Sequence, residues 1–225
     1  MVCALENNGE KNDSVAEQNA PTAAVTMEDF VNNGDFANYG LKREIYISEI
    51  VKKWNENGLM AGRTEKFGLK YLGTMIAAGP DGELEGFHAY NYKLNIQNDG
   101  GEVNDLVGFN LQIVSDDNDD NVHYVSICYY GEEMDIDNYG MLTILSIPIV
   151  QLATGESWAD SADIVYAAQD IGVEYDKNIS TSDYVISSST SSNVLTFIIQ
   201  DVDYYLLKWD EEVMDDAVVS YDNYQ

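Results

Sequence analysis

Cysteine and histidine are scarce in this chain of 225 residues, which has only two of each. Cys3 and Cys128 are too few to build a disulfide framework or a cysteine-based zinc cluster. Cys128 falls within a predicted strand, where we expect a small buried apolar residue. No apolar run approaches the roughly 18 residues that a membrane-spanning helix needs. We therefore expect the chain to fold around its own hydrophobic core, without a disulfide framework, a zinc cluster or a membrane-spanning helix.

Basic residues are also few, because 11 Lys and Arg stand against 40 Asp and Glu, giving a net charge of −29. A nucleic-acid-binding surface needs Lys and Arg to neutralise phosphates, so we expect no nucleic-acid partner. Attraction to an anionic membrane surface is disfavoured for the same reason. The acidity favours high solubility, with cation binding or a basic partner as the alternatives.

The charge is unevenly distributed along the chain. Residues 42–70 hold seven of the 11 bases and only four acids, a net charge of +3, whereas the remainder carries −32. We expect this basic segment to lie against the acidic sheet, although exposed ion pairs contribute less than about 1 kcal/mol each.

Apolar and polar residues alternate along several stretches that are bounded by Gly, Asn and Asp. This pattern indicates antiparallel strands with one buried and one wet face. Residues 87–149 are expected to form a meander with acidic turns. We predict strands over Lys70–Ala78, Phe87–Ile96, Leu106–Val114, Val122–Tyr130, Met141–Val150, Tyr184–Ser188, Val194–Ile199 and Tyr204–Trp209. The apolar run from Met141 is nearly continuous, so that strand should be covered on both faces or continue into a buried segment, with an edge or bulge at Pro148.

Two stretches have helical periodicity. The first covers residues 42–57, and its apolar face is formed by Ile47, Ile50, Val51 and Trp54. The second covers residues 157–171, is expected to end at Gly172, and carries Ile164 on its apolar face. The predicted fold class is therefore α+β, a mostly antiparallel sheet of about seven or eight strands with two packing helices.

The chain divides into three segments by composition. Residues 1–25 are predicted to be a disordered polar linker or tail, since residues 4–25 lack apolar periodicity. Residues 26–212 are predicted to form a single α+β domain. Residues 213–225 are expected to be an acidic C-terminal tail or a short helix.

Cys3 stands directly before the polar linker. This arrangement resembles the mature start of a bacterial lipoprotein, in which the cysteine is acylated and the linker holds the domain off the membrane. The resemblance covers one residue and a composition, no signal segment is visible, and Val2 is not the small residue expected before the cysteine. It implies lipid attachment at Cys3 and an extracytoplasmic or cell-surface location. The alternative is a plain N-terminus on a cytoplasmic protein.

The acidic run from Asp116 to Asn121 is the most suggestive local feature. Oxygen ligands at alternate positions suit Ca²⁺, which makes Asp116, Asn118 and Asp120 candidate metal ligands. An EF-hand is excluded, because Asn121 stands where Gly is needed and Ile127 where a bidentate Glu is needed. A looser calcium loop and a solvated acidic turn remain as alternatives.

Histidines and aromatic residues of the meander form a candidate contact surface. His88 and His123 both lie in predicted strands, where they could share a face and hold a metal or exchange protons. The aromatic side chains suit protein or carbohydrate contact, although aromatics also favour strands in general. The candidate surface consists of His88, Tyr90, Tyr92, His123 and Tyr124.

Catalytic motifs are missing from the sequence. No nucleophile signature or Gly-rich phosphate loop occurs, and no carboxylate pair stands out among 40 acids. We therefore predict no catalytic residues and no cofactor-binding residues. The sequence favours a non-enzymatic extracytoplasmic binding or interaction module with an unknown protein or carbohydrate partner. The alternatives are an extracellular hydrolase that uses an acidic pair and a calcium-stabilised domain.

Overall fold

The structure is a computed structural model in which most of the chain from Leu41 onward is described. The described residues are 41–56, 62–79, 82–131, 136–175, 177–181, 183–191, 193–209 and 218–221. The predicted N-terminal linker, Cys3 and most of the predicted C-terminal tail lie outside these ranges.

Four helices and eight strands follow one another in this part of the chain. The helices are α1 (Arg43–Glu56), α2 (Ile136–Thr154), α3 (Trp158–Tyr175) and α4 (Val202–Lys208). The strands are β1 (Lys66–Gly79), β2 (Gly82–Gln97), β3 (Val103–Asp116), β4 (Val122–Tyr130), β5 (Asn178–Ser180), β6 (Tyr184–Thr190), β7 (Val194–Asp201) and β8 (Val218–Ser220).

All eight strands belong to one sheet with the order β1-β2-β3-β4-β7-β6-β5-β8. Neighbouring strands are antiparallel, except that β5 and β8 run parallel. The predicted α+β class and the mostly antiparallel sheet are confirmed. Strand β1 stands at one edge of the sheet, and the short β8 stands at the other.

The main core lies between one face of the sheet and the helices α1, α2 and α3. Trp54 of α1 is 2% exposed, and its indole nitrogen donates to the carbonyl oxygen of Leu145 in α2 at 2.9 Å. Ile164 of α3 is also part of this core, as are Leu94 of β2 and Ile113 of β3. Both helices that were predicted to cover the meander therefore do so.

The predicted strand Met141–Val150 is wrong, because these residues lie in helix α2. The helix packs among α1, α3 and the sheet, and Ile147, Ile149 and Val150 are at most 3% exposed. A helix that is buried on every side has no polar stripe, so it gives the same continuous apolar run as a buried strand. Pro148 stands inside this helix.

The predicted strand Tyr204–Trp209 is also wrong, because residues Val202–Lys208 form helix α4. Asp201 ends β7 and caps the helix, since its side chain accepts the backbone N–H of Tyr204. Helix α4 covers the opposite face of the sheet at one end. Its Tyr204 packs there in a second, smaller core cluster with Ala77, Ala89 and Val114.

Helix α3 confirms the helix predicted over residues 157–171, but it continues through Gly172 to Tyr175. Gly172 is needed for close packing and does not end the helix. A Cβ atom at this position would lie 2.0 Å from the carbonyl oxygen of Ser188 in β6. Strand β6 confirms the strand predicted over Tyr184–Ser188 and continues to Thr190.

The helices of the described ranges are all too short or too polar to cross a membrane. Strand β8 lies inside the segment expected to be a tail or short helix, and Val218–Ser220 pair with β5.

Candidate functional site

The acidic run between β3 and β4 folds into a turn that bonds to itself. One carboxylate oxygen of Asp116 accepts the backbone N–H groups of Asn118 at 2.9 Å and Asp119 at 2.7 Å. Its other oxygen accepts the N–H of Asn121 at 3.1 Å. Asp120 adopts a φ of 57°, the left-handed conformation that Asp tolerates in turns. The carboxylate that was predicted to begin a calcium loop therefore serves as the centre of the turn.

Asp120 joins this turn to the start of helix α1. Its carboxylate accepts hydrogen bonds from Arg43 Nε at 3.1 Å and from Ser115 Oγ at 2.6 Å. The guanidinium of Arg43 also donates to the hydroxyl of Tyr92 at 3.2 Å and lies 3.9 Å from the ring centroid of Tyr90. Tyr92 is 6% exposed, so its hydroxyl binds the arginine from inside the fold, whereas Tyr90 is only partly buried.

His123 lies between two carboxylates from distant parts of the chain. Its Nδ1 is 2.7 Å from Asp201 Oδ2, and its Nε2 is 3.1 Å from Asp116 Oδ2. Because carboxylates accept, both ring nitrogens donate only when the imidazole is protonated. We call Asp116, His123 and Asp201 the His123 cluster.

The pKa values of His123 and Asp116 are shifted in opposite directions. Burial lowers the pKa of His123, but the hydrogen bonds and charges of Asp201 and Asp116 outweigh it, so the pKa is raised above its ordinary value of 6.5. Burial raises the pKa of Asp116, but the backbone N–H of Asp119, the His123 ring and two further N–H groups outweigh it, so the pKa is lowered from 3.8. Both shifts favour the charged pair, an imidazolium beside an ionised Asp116.

Aromatic side chains cover the His123 cluster on the side of α4. The ring of Phe87 contacts the His123 ring edge-on, with 5.4 Å between the ring centroids, and the ring of Tyr204 stacks on it with 6.2 Å between the centroids. The ammonium of Lys208 lies 4.7 Å from the Tyr204 ring centroid and 4.8 Å from that of Tyr124. His123 therefore contacts three parts of the fold: Tyr204 of α4, Asp201 at the end of β7 and Asp116 of the acidic turn.

This arrangement lacks the features of a catalytic dyad. A general base needs a free ring nitrogen, whereas both nitrogens of His123 are bonded to carboxylates. A cavity beside His123 has a volume of about 20 Å³, which is room for about one water molecule. The cluster therefore joins elements of the fold through hydrogen bonds.

The other predicted site residues lie in separate surroundings. His88 Nδ1 contacts the carboxylate of Asp117, so the two histidines bind neighbouring acids and not each other. Tyr124 is half-buried beside α4, and Tyr92 is buried. Within the described ranges no group of three or more His, Cys, Asp or Glu side chains is arranged to hold a metal ion.

Large apolar side chains are exposed along the edge strand β1, a feature that sequence reasoning missed. Tyr71 is 55% exposed, Leu72 54%, Met75 58% and Ile76 41%. We call these four residues the edge surface. Among the described residues no strand pairs with the outer side of β1. The sequence did hold a signal, because apolar residues occupy both alternating faces of Lys70–Ala78, which a strand with one wet face does not need.

Comparison with known proteins adds no relative from which a role could be transferred. The chain matches no protein-family model, no curated protein and no solved structure. The His123 cluster and the edge surface are therefore the two features on which a functional conclusion can rest.

Proposed function

We propose that the protein is a non-enzymatic binding module that works outside the cytoplasm and contacts a protein partner through the edge surface. The observation that supports this proposal is the exposure of four large apolar side chains, Tyr71, Leu72, Met75 and Ile76, on a strand of 14 residues at the rim of the sheet. Large apolar side chains exposed together along one strand are a feature of interaction sites. Among the described strands β1 is an edge strand, and edge strands offer unpaired backbone groups to a partner.

The chemistry around the edge surface favours a protein over a carbohydrate. Strand β1 contributes apolar side chains and the bases Lys66 and Lys70, and its sequence contains no acid. Carbohydrate sites need polar groups that converge on sugar hydroxyls, and β1 offers few of them. A partner surface with apolar side chains and nearby acidic residues would complement it.

A hydrolase with an acidic pair is the alternative function. It needs one protonated carboxyl as general acid and one ionised carboxylate. Asp116 and Asp201 flank His123, but the imidazolium between them favours the ionised form of Asp116. This pair therefore suits a structural role.

Photocrosslinking in living cells tests the contact surface. Met75→p-benzoylphenylalanine places a crosslinker on the edge surface, and Tyr166→p-benzoylphenylalanine is the control on helix α3, where Tyr166 is 54% exposed. We expect light-dependent adducts from position 75 and none from position 166. Adducts from neither position, or equally from both, would refute the edge surface as the contact site.

The location is tested separately through Cys3. We propose that Cys3 carries a lipid that tethers the domain at the cell surface. Metabolic labelling of the full-length gene product with an alkyne fatty acid should mark the wild type and leave Cys3→Ser unmarked. If the two proteins are labelled equally, or if neither is labelled, Cys3 carries no lipid tether. The proposed binding function would then rest on the edge surface alone.

A further inference from the structure

We infer that the partner of the edge surface is a second copy of this chain, which pairs antiparallel through β1 to join two sheets into one. This inference rests on the proposed function and names its partner. A two-fold symmetric contact uses the same patch on both subunits, so the patch must be complementary to itself. The order of residues along β1 meets this requirement.

The register of β1 shows which side chains share a face. Tyr71 pairs with Tyr92 and Ile76 with His88, whereas Leu72 has no partner on β2 because the strand bulges there. Every second side chain of a strand points to the same face, so His88 and Tyr92 of β2 share one face of the sheet. Their partners on β1, Ile76 and Tyr71, therefore point to that same side.

A two-fold axis perpendicular to the sheet and passing through Thr74 then produces matched pairs. The pairs are found by counting outward from Thr74 and leaving out Leu72, the residue at the bulge. Gly73 of one copy then stands opposite Met75 of the other, and Tyr71 stands opposite Ile76. Aromatic side chains opposite β-branched ones are favourable cross-strand pairs, as is Thr74 opposite itself. Each pair occurs twice, except the one on the axis.

The charges on β1 select the antiparallel direction. In a parallel arrangement Lys66 and Lys70 would stand beside the same residues of the second copy, and like charges directly opposite each other repel. In the antiparallel arrangement they approach the far end of β1, where Glu83 and Glu85 on β2 are exposed. The basic end of one copy thus lies about two strand spacings, roughly 10 Å, from exposed acids of the other.

A charge exchange at Thr74 tests both the partner and the register. Sedimentation velocity or light scattering measures the mass over a series of protein concentrations at about 0.15 M salt, where the screening length of about 8 Å limits repulsion between two copies of charge −29. We expect the wild type to approach twice the monomer mass. Thr74→Asp alone and Thr74→Lys alone should each weaken association at least about tenfold, because each places like charges on the axis.

Mixing the two variants should restore a dimer that contains one copy of each, because the axis residues then carry opposite charges. Tyr166→Asp is the control for a charge placed on an exposed tyrosine elsewhere, and it should leave the mass unchanged. A wild type that stays monomeric overturns the inference, as does a dimer that both Thr74 variants leave intact. If the protein stays monomeric and crosslinks through position 75 to a different protein, the partner is not a second copy of this chain, but the proposed function is preserved.

Discussion

Deprotonation of His123 should weaken the folded state as the pH rises. The pKa of His123 is raised in the folded chain above the 6.5 that it has when exposed. Its contribution to the free energy of unfolding is therefore fully present below pH 6.5 and is lost as the pH rises through the folded-state pKa. Each unit by which the pKa is raised corresponds to about 1.4 kcal/mol.

Asp116 limits the same contribution on the acidic side. Its pKa is lowered from 3.8, so the stability that it adds is present above pH 3.8 and is lost as the pH falls through the folded-state value. The His123 cluster should therefore stabilise the fold most between about pH 4 and 6.5.

Removing the imidazole leaves a buried carboxylate with one charged partner fewer. Asp201 is 1% exposed, and among the contacts described above its remaining donor is the backbone N–H of Tyr204, at 2.6 Å. We expect His123→Gln to lower the free energy of unfolding by about 3 kcal/mol near pH 5.5, as when one partner of a buried ion pair is removed. The difference from the wild type should shrink above neutral pH.

Urea unfolding followed by tryptophan fluorescence from pH 5 to 9 measures this effect. Asp201→Asn keeps an oxygen that can cap α4 but removes the charge, so it should flatten the pH dependence with a smaller loss near neutral pH. His88→Gln is the matched control, because the His88–Asp117 pair is exposed and should contribute less than about 1 kcal/mol. The reasoning is refuted if His123→Gln keeps the wild-type slope or if His88→Gln removes it.

Three further predictions follow from the packing and from the acidic turn. Gly172→Ala should destabilise the fold by about 3 kcal/mol, because its Cβ would press on the carbonyl oxygen of Ser188, whereas Gly140→Ala in open space on α2 should stabilise it by about 0.5–1 kcal/mol; equal effects in urea unfolding would contradict the close packing. Trp54→Phe should cost about 1–3 kcal/mol, because a buried hydrogen bond from the indole to the carbonyl oxygen of Leu145 is lost and the smaller ring leaves a void; an unchanged free energy of unfolding would contradict this packing. A chelator should leave the melting temperature unchanged, since hydrogen bonds already engage the carboxylates of Asp116 and Asp120; a clear fall on chelation would support the calcium hypothesis instead.

Strands with one wet face could be predicted from the sequence. Val122–Tyr130 was predicted with the bounds that the structure has, because burial on one face imposes a period of two. Trp54 and Ile164 were likewise placed correctly in the core, since their helices have a polar face toward solvent. Local patterning carries this information wherever an element is half-buried.

Fully covered elements could not be assigned by the same means. The run from Met141 to Val150 has no polar face in either conformation, so its helix cannot be distinguished from a strand by periodicity. Helix α4 depends on the cap that Asp201 supplies and on the packing of Tyr204 against the sheet. The sequence of Tyr204–Trp209, rich in aromatic and apolar residues, fits a strand equally well.

The His123 cluster was beyond sequence reasoning for a different reason. His123 and Asp201 are 78 positions apart, and they meet because β4 and β7 are neighbours in the sheet. The acidic turn was recognised as a feature, but its role depends on contacts with Arg43 and His123 that only the fold supplies. The position of β1 at the rim likewise follows from the strand order and not from its own residues.

Amide hydrogen exchange along β1 tests most directly whether the edge is open to a partner. In a dilute sample that is monomeric, we predict that the β1 amides pointing away from β2 exchange rapidly while those of β3 and β4 stay protected. Raising the protein concentration should slow exchange in the segment around Thr74. Protection of β1 as strong as that of β3 in the dilute monomer would show that another part of the chain covers the edge, and would contradict its role as the contact surface.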